Sequence, residues 1–335
     1  MQGEKVMDKF KEELIKIKDS MSQEDFDDHK TQYPKRNFEQ LIDSLEKKGI
    51  KFNNITKEEA LLILRDINYY YKITVYKRNF KRNKDKKFIN LDFSYLTDLA
   101  SMDMQLRYLL LTATLDIEHS LKTFLITKIT DNKHEDGYDV VKSFFHSTIG
   151  SFNELDKDTI LESARHKSHY QFKLYEAHKK APPAWVLMEV IKFGDFLRFF
   201  EFYFSKYPTD EFKIDSLMGV LSSVKRVRNA SAHNNVFLFD LYHSDINIPS
   251  NYIKRYAKDR NIGELFYKCN KIHDILCVFY IHEFFVKGKG SRQHRIDDFK
   301  ELTRKFIERL SYMAKDNDIL YFLNILNLVL DKYEI

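Results

Sequence analysis

Apolar residues recur at three- and four-residue intervals along most of the chain, a spacing that places them on one face of an α-helix. The pattern is clearest between residues 94 and 130. Its periodic positions are Leu99, Met102, Leu106, Leu109, Leu110, Ala113, Ile117, Leu121 and Phe124. Because no stretch alternates apolar and polar residues over the length of a strand, the pattern predicts an all-α, multi-helix bundle.

Local signals predict the boundaries of other helices. A helix that begins at Phe38 is expected to end at Gly49, and Thr56 opens the next helix with a capping box. One continuous helix is expected from Trp185 to Pro208. Further helices are expected within residues 1–30, 155–180, 210–233, 262–286, 296–314 and 319–330.

Few helix breakers interrupt these patterns, since the 335 residues include only 9 Gly and 5 Pro. A chain of this length with 43% hydrophobic residues can bury a sizeable core. We expect three parts. They are an N-terminal helical region at 1–93 with a basic loop at 72–90, a helical core at 94–286, and C-terminal helices at 287–335 that pack on the core.

The composition also bears on the class of protein. Cys269 and Cys277 lie eight residues apart, without the spacing of a zinc site or a disulfide framework. The first residues lack the apolar core of a signal peptide, and no apolar stretch approaches the roughly 20 residues that span a bilayer. Glycine-rich phosphate loops and the GxSxG nucleophile motif are absent. We therefore expect a cytoplasmic protein with no metal site, no cofactor and no membrane contact.

The stretch "KRVRNASAH", which ends at His233, concentrates candidate chemistry at the end of an amphipathic helix. Arg228 and His233 form the one Arg-x4-His of the sequence, and Asn229 follows the arginine. Asn229 and His233 share a helix face, and the long Arg228 side chain can curl toward them. The alternative is an ordinary helix end, where His233 interacts with the negative end of the helix dipole and Arg228 lies on solvent.

Cations are also concentrated between Lys72 and Lys87, where eight of them accompany the single acid Asp85. The formal net charge of +5 permits a polyanionic partner. We expect this run to be a loop or short hairpin that contacts RNA. The candidate RNA-binding cations are Lys77, Arg78, Lys81 and Arg82, with Lys225 and Arg226 beside the motif, and the candidate stacking residues are Tyr69, Tyr70, Tyr71, Tyr76 and Phe80. The alternatives are a solvated loop with tyrosines 69–71 turned inward and a helix surface that serves solubility only.

Several segments occur in an order that resembles the Abi family of bacterial abortive-infection proteins, in particular its AbiD/AbiF-like group. They are "NFEQLIDSLEKKGI", "EEALLILRDINYYYKITVYKRNF", "LRYLLLTATLDIEHSLKT", "PPAWVLMEVIKFGDF" and "VRNASAH", within about residues 34–240. The resemblance implies a HEPN-type helical core in which Arg-x4-His marks a metal-independent endoribonuclease, a toxin that arrests growth during phage infection. Arg228 and His233 then take the catalytic positions, and Asn229 the polar position after the arginine.

The chain departs from this family pattern after the motif. Family members often carry a second histidine followed by Asn-Arg, whereas this chain has Asn234, Asn235 and Val236. The difference bears on substrate preference and rate more than on the type of reaction.

RNA can be cleaved without a metal because its 2′-OH attacks the adjacent phosphorus, leaving a 2′,3′-cyclic phosphate and a 5′-OH. His233 can transfer a proton near neutral pH, and Arg228 can hold the phosphate oxygens. Since one histidine does not easily serve as base and acid together, we expect a homodimer with two motifs in a composite site. Some relatives are paired with a small structured RNA, so such an RNA is an expected regulatory partner. The alternatives are a non-cleaving RNA-binding scaffold and a protein-interaction module that blocks a phage factor.

Overall fold

The computed structural model describes residues 23–146, 157–242, 249–310 and 318–335. These residues form helices and connecting segments, and the predicted all-α class is confirmed. The helices in chain order are α1 (Gln23–Gln32), α2 (Phe38–Lys47), α3 (Lys57–Leu62), α4 (Tyr70–Thr74), α5 (Phe93–Asp131), α6 (Asp139–Phe145), α7 (Lys157–Ile160), α8 (Phe172–His178), α9 (Ala184–Val190), α10 (Phe193–Lys206), α11 (Ile214–Ala232), α12 (Asn251–Asp259), α13 (Glu264–Tyr267), α14 (Asn270–Phe285), α15 (Lys289–Arg309) and α16 (Asp318–Asp331). A π-helical turn follows α3 at Ile63–Ile67, and 3₁₀ turns lie at Val75–Asn79 and Ser163–Arg165.

The chain divides into two compact units. The N-terminal unit comprises Met1–Tyr71 and Arg82–Ser94, and the C-terminal unit comprises Lys72–Lys81 and Tyr95–Ile335. The three-part division at 1–93, 94–286 and 287–335 stays a prediction.

The N-terminal unit is organised around α2. Asn37 caps this helix by accepting a hydrogen bond from the Gln40 backbone N–H, and the Gln40 side chain accepts one from Asn37 in return. Gly49 follows the helix with a φ of +86°, which side chains with a Cβ rarely adopt. Thr56 and Glu59 form the predicted capping box of α3. The apolar residues buried in this unit include Ile42, Leu45, Ile50, Leu64, Phe88, Leu91 and Phe93.

In the C-terminal unit, most of the periodic positions predicted for α5 are buried, so the predicted helix and its face are confirmed. Phe124 is half-buried and belongs to an aromatic cluster, in which neighbouring ring centroids are 4.7–6.5 Å apart. Edge-to-face and offset ring contacts of this kind add to the energy of burial. The rings of the cluster are Phe124, Phe200, Phe204, Phe212 and Phe285.

Helix α11 packs against α10 and α14 of the same unit. Its buried face contains the predicted positions Leu217, Val220, Leu221, Val224 and Val227. On the facing helix α14, apolar side chains are buried on all sides, as the high share of Ile, Leu, Val and Phe in that segment requires. Because both helices are fixed by packing, the C-terminal end of α11 is held in place within this unit.

Two predicted helices are interrupted. The helix expected from Trp185 to Pro208 is wrong as one element, because Ile191 and Lys192 adopt extended backbone angles between α9 and α10. The β-branched pair Val190 and Ile191 disfavours a helix at this point. The helix expected within 155–180 is also wrong as one element, since the described residues 157–180 form two short helices and a 3₁₀ turn. This segment is mostly polar, and a long helix needs an apolar stripe that packs on the core.

The basic run between residues 72 and 90 is partly helical. The sequence predicts a loop throughout, but α4 and the 3₁₀ turn extend the helical structure to Asn79. The reason is that the apolar and aromatic side chains of Ile73, Val75 and Tyr76 are buried in the C-terminal unit. From Phe80 onward the prediction of a loop or short hairpin is confirmed, and the bridge between Arg82 and Phe88 closes the hairpin.

Candidate functional site

The Arg-x4-His motif lies at the C-terminal end of α11. His233 is the residue after the last helical one, and its backbone N–H donates to the Asn229 carbonyl at 2.9 Å. Asn234 adopts a φ of +57°, and the N–H of Asn235 donates back to the Ala230 carbonyl at 2.8 Å. This is the pattern of a Schellman motif, in which asparagine is one of the few residues that tolerate the left-handed position. The helix therefore ends at His233 and leaves its imidazole exposed.

The three predicted catalytic residues are close in the chain and differ in exposure. Asn229 and His233 are exposed, whereas Arg228 is half-buried. Nη1 of Arg228 lies 3.4 Å from Oδ1 of Asn229, so the guanidinium turns toward the neighbouring amide. The catalytic roles of these residues stay predictions.

Two buried polar atoms of this helix end have no hydrogen-bond partner in the described part of the chain. They are Nε of Arg228 and the hydroxyl of Ser231, which lie three residues apart and therefore share a face of α11. A buried donor without a partner costs free energy. The hydrogen-bonding capacity of Arg228 and Ser231 is therefore not fully used at this helix end, which also carries the exposed imidazole of His233.

The two cations before the motif have different surroundings. The Arg226 guanidinium binds Asp274 of α14 through Nε at 2.9 Å and Nη2 at 2.7 Å. Burial acts to raise the pKa of Asp274, but hydrogen bonds from His273 and Arg226 outweigh it and leave the pKa below its usual range. Arg226 thus joins α11 to α14, and its predicted RNA contact competes with this ion pair. Lys225 is half-buried, and its side chain lies over Gly194 of α10.

The segment after the motif is held by the buried carboxylate of Asp103 in α5. Oδ1 of Asp103 accepts the backbone N–H groups of Phe237 at 2.8 Å and Leu238 at 2.7 Å. Arg107, one turn along α5, forms an ion pair with the same carboxylate. Sequence reasoning missed Asp103, although a charged i, i+4 pair within the apolar face of a long helix is an unusual signal.

Lys271 of α14 holds the same segment from another side. Its ammonium donates to the carbonyls of Phe237 and Phe239 and lies 3.8 Å from the centroid of the Phe239 ring. Burial lowers the pKa of Lys271 to about 8. Asn79 donates from its amide to the Leu238 carbonyl at 2.8 Å. Residues 237–239 are therefore fixed by side chains from three parts of the C-terminal unit.

The predicted RNA-binding cations of the basic run are divided between the units. Lys77, Arg78 and Lys81 belong to the C-terminal unit with the motif, and Arg82 belongs to the N-terminal unit. Lys77 is half-buried, whereas Arg78 and Lys81 are exposed, and the Arg78 guanidinium lies 5.5 Å from the centroid of the Phe239 ring. Their contact with RNA stays a prediction.

The candidate stacking tyrosines differ in how far they are exposed. The prediction that Tyr76 stacks on a base is wrong, because only 1% of this side chain is exposed. Its hydroxyl lies within hydrogen-bonding reach of Asp103. Tyr69 and Tyr71 are 58% and 63% exposed, so the alternative that places them inside the protein is wrong. Phe80 is half-buried.

The residues that the structure describes contain no group of three or more His, Cys, Asp or Glu side chains that could hold a metal ion. Cys269 and Cys277 are buried free thiols, and burial raises the pKa of both. Among the described helices, none is long and apolar enough to cross a bilayer.

The chain matches a known protein family. Residues 62–238, slightly more than half of the chain, match the model of the Abi-like protein family. The matched range includes the helix end at His233 and the segment held by Asp103. No curated protein and no solved structure matches the chain.

Proposed function

We propose that this chain, which belongs to the Abi-like protein family, acts as a metal-independent endoribonuclease. Membership of the family supports a role in abortive-infection defence against phage. In this proposal residues 94–286 form a HEPN-type core of the AbiD/AbiF-like group. Its substrate is RNA, and the cleavage of RNA arrests the growth of the infected cell. A small structured RNA restrains the enzyme before infection.

The end of α11 is the observation that carries the proposal. An exposed imidazole, an exposed amide and a guanidinium turned toward that amide occur within six residues, on a helix end fixed by packing and by a Schellman motif. A guanidinium is always cationic and presents a planar set of donors to phosphate oxygens. An imidazole gains and loses a proton near neutral pH. These are the two chemical abilities that transesterification of RNA requires.

In the proposed reaction, the 2′-OH of a ribose loses its proton to one imidazole and attacks the adjacent phosphorus. The P–O5′ bond breaks, the 5′ oxygen takes a proton from a second imidazole, and the 2′,3′-cyclic phosphate remains. Arg228 stabilises the negative charge on the phosphate oxygens, and Asn229 orients the imidazole or binds a phosphate oxygen. Each chain supplies one motif histidine, so the second imidazole comes from a second copy of the chain in a composite site.

The proposal is tested with purified protein and RNA in the presence of EDTA. We expect cleavage products with 2′,3′-cyclic phosphate and 5′-OH ends. His233→Ala and Arg228→Ala are expected to reduce the cleavage rate by about a hundredfold or more, because each removes a proton-transfer or charge-stabilising group. Arg228→Lys keeps the charge but not the planar donor set, so we expect an intermediate rate.

His294→Ala is the matched control, because the imidazole of His294 on α15 is exposed and lies 3.7 Å from the carboxylate of Asp298 on the same helix. It is expected to cleave at the wild-type rate. RNA binding without cleavage by the wild-type protein, including protein isolated from infected cells, would instead favour the non-cleaving ribonucleoprotein scaffold. Equal cleavage by the wild type and the His233→Ala variant would show that the motif is not the catalytic site.

A further inference from the structure

An open cleft of about 470 Å³ lies on the N-terminal unit beside α2. Lys35 and Arg36 precede the helix. Lys47 is the last residue of α2 and Lys48 is its C-cap, so cations from both ends of the helix line one cleft. The only acid in its lining is Asp43. The cleft therefore carries a net positive charge.

This charge is not compensated by neighbouring acids. Within the described chain, Lys35, Lys47 and Lys48 have no carboxylate at ion-pair distance. Glu46 of the same helix is already bound by Lys57 at 2.7 Å. Exposed cations that have no carboxylate partner attract an anionic ligand, because they lose no existing ion pair when the ligand binds.

The wall of the cleft connects to exposed aromatic residues. The Arg36 guanidinium donates to the Ser44 hydroxyl at 3.1 Å, and the Tyr70 hydroxyl lies within hydrogen-bonding reach of the same Ser44. Tyr69 and Tyr71, the neighbours of Tyr70 in the chain, are 58% and 63% exposed. An exposed aromatic ring is a stacking surface for an unpaired base.

The basic hairpin continues the cleft at the other end of α2. The Phe88 N–H donates to the Lys48 carbonyl at 2.8 Å, and the Lys87 side chain packs directly over Gly49. Arg82 crosses the base of the hairpin, with its guanidinium 4.6 Å from the Phe88 ring. These contacts place the cations of residues 82–87 beside Lys47 and Lys48, at one end of the cleft.

From this arrangement we propose that the cleft and the attached hairpin form a second binding site, for a single-stranded segment of RNA, apart from the catalytic motif. Phosphates of the strand bind Lys35, Arg36, Lys47 and Lys48, and unpaired bases stack on Tyr69 and Tyr71. The cleft is open and its lining is charged, whereas a pocket for a small molecule is enclosed and mostly apolar. A flexible polyanion with aromatic bases fits both features of the surface.

The inference rests on the proposed function, and its test separates the two. RNA binding is measured on the His233→Ala protein, so that the probe, a fluorescent single-stranded RNA of about 20 nucleotides, is not consumed. In this background Lys35, Arg36, Lys47 and Lys48 are changed together to Gln. We expect the Kd to rise at least about tenfold, and the slope of log K against log salt to fall by about 0.7 for each lost phosphate contact.

The matched control replaces four exposed lysines of the C-terminal unit, Lys142, Lys173, Lys289 and Lys300, by Gln. It removes the same charge and is expected to change the Kd much less than the cleft variant. Tyr69→Ala with Tyr71→Ala is expected to weaken binding of the RNA by about fivefold to a hundredfold, but to leave binding of inorganic polyphosphate unchanged, because polyphosphate has no bases to stack. Circular dichroism of each variant confirms that the helices are retained.

The outcomes are distinct. If the wild-type protein cleaves RNA and the cleft and control variants bind equally, the inference is wrong and the proposed nuclease stands. If the cleft variant, placed in the active protein, raises KM and leaves kcat unchanged, the cleft binds substrate apart from the chemistry. If no protein binds or cleaves RNA, the proposed function itself fails.

Discussion

Asp103 is a buried carboxylate that connects the long helix α5 to the segment after the motif. It accepts two backbone N–H groups and pairs with Arg107, so nearly all of its hydrogen-bonding capacity is used inside the protein. A buried charge is tolerated only with such partners. Phe237 and Leu238 therefore have one defined position, and the chain that leaves His233 is tethered a few residues later.

Lys271 should make the stability of the protein depend on pH. Its pKa is about 8 because burial disfavours the ammonium form, whereas lysine in an unfolded chain titrates near about 10.4. Between these values the unfolded state binds more protons than the native state. The free energy of unfolding is therefore expected to rise with pH across this window, by up to about 3 kcal/mol from this residue.

The measurement is urea unfolding from about pH 7 to about pH 10, compared with Lys271→Met. Tyrosines titrate in both proteins, so the difference between them isolates Lys271. We expect the wild type to gain stability relative to the variant as the pH rises above about 8. Parallel stability curves would mean that Lys271 titrates like an exposed lysine.

At the scale of helices, two glycines should respond to alanine in opposite directions. Gly49 has a φ of +86°, and a Cβ there would lie 3.0 Å from Lys87 Cβ and from the Phe88 carbonyl oxygen. Gly219 lies exposed within α11 with nothing near its missing Cβ. Gly49→Ala is expected to cost about 1–2 kcal/mol, and Gly219→Ala to stabilise by about 0.5–1 kcal/mol.

Thermal and urea unfolding of the two variants check this pair, with each serving as the control for the other. The reason for the opposite signs is that Gly219 needs no special backbone angle and gains helix propensity. A stabilising Gly49→Ala would show that α2 does not require the left-handed turn at its end. A destabilising Gly219→Ala would show that this face of α11 is covered.

For the whole molecule, the composite site makes a prediction about assembly. We expect sedimentation to give twice the chain mass of 40.2 kDa. Heterodimers of wild-type and His233→Ala chains, isolated with two affinity tags, should cleave RNA at well below half of the wild-type rate, because every site then lacks one imidazole. The same heterodimer built with His294→Ala should retain the full rate.

A heterodimer with half the wild-type rate would mean that each chain carries a complete site. A single chain mass at active concentrations would exclude the composite arrangement altogether. Either result leaves the fold unchanged, since the packing of α11 against α10 and α14 lies within one chain.

What the sequence by itself determined is local. The spacing of Leu217, Val220 and Val224 is enough to predict α11 and its buried face, and Thr56 with Glu59 is enough to predict the start of α3. The motif was found in the same way, because its three residues lie on one stretch of chain. Such signals depend on neighbours within about one or two helical turns, so no tertiary information is needed.

Tertiary packing alone decided the long-range features. Asp103 and Lys271 reach the segment after the motif from distant helices, and Arg226 is taken up by Asp274 of α14. The burial of Tyr76 was missed for the same reason. These outcomes depend on which side chains meet after the helices pack, and the energy of such contacts, through desolvation and pairing of buried groups, exceeds the local preferences that a sequence pattern records.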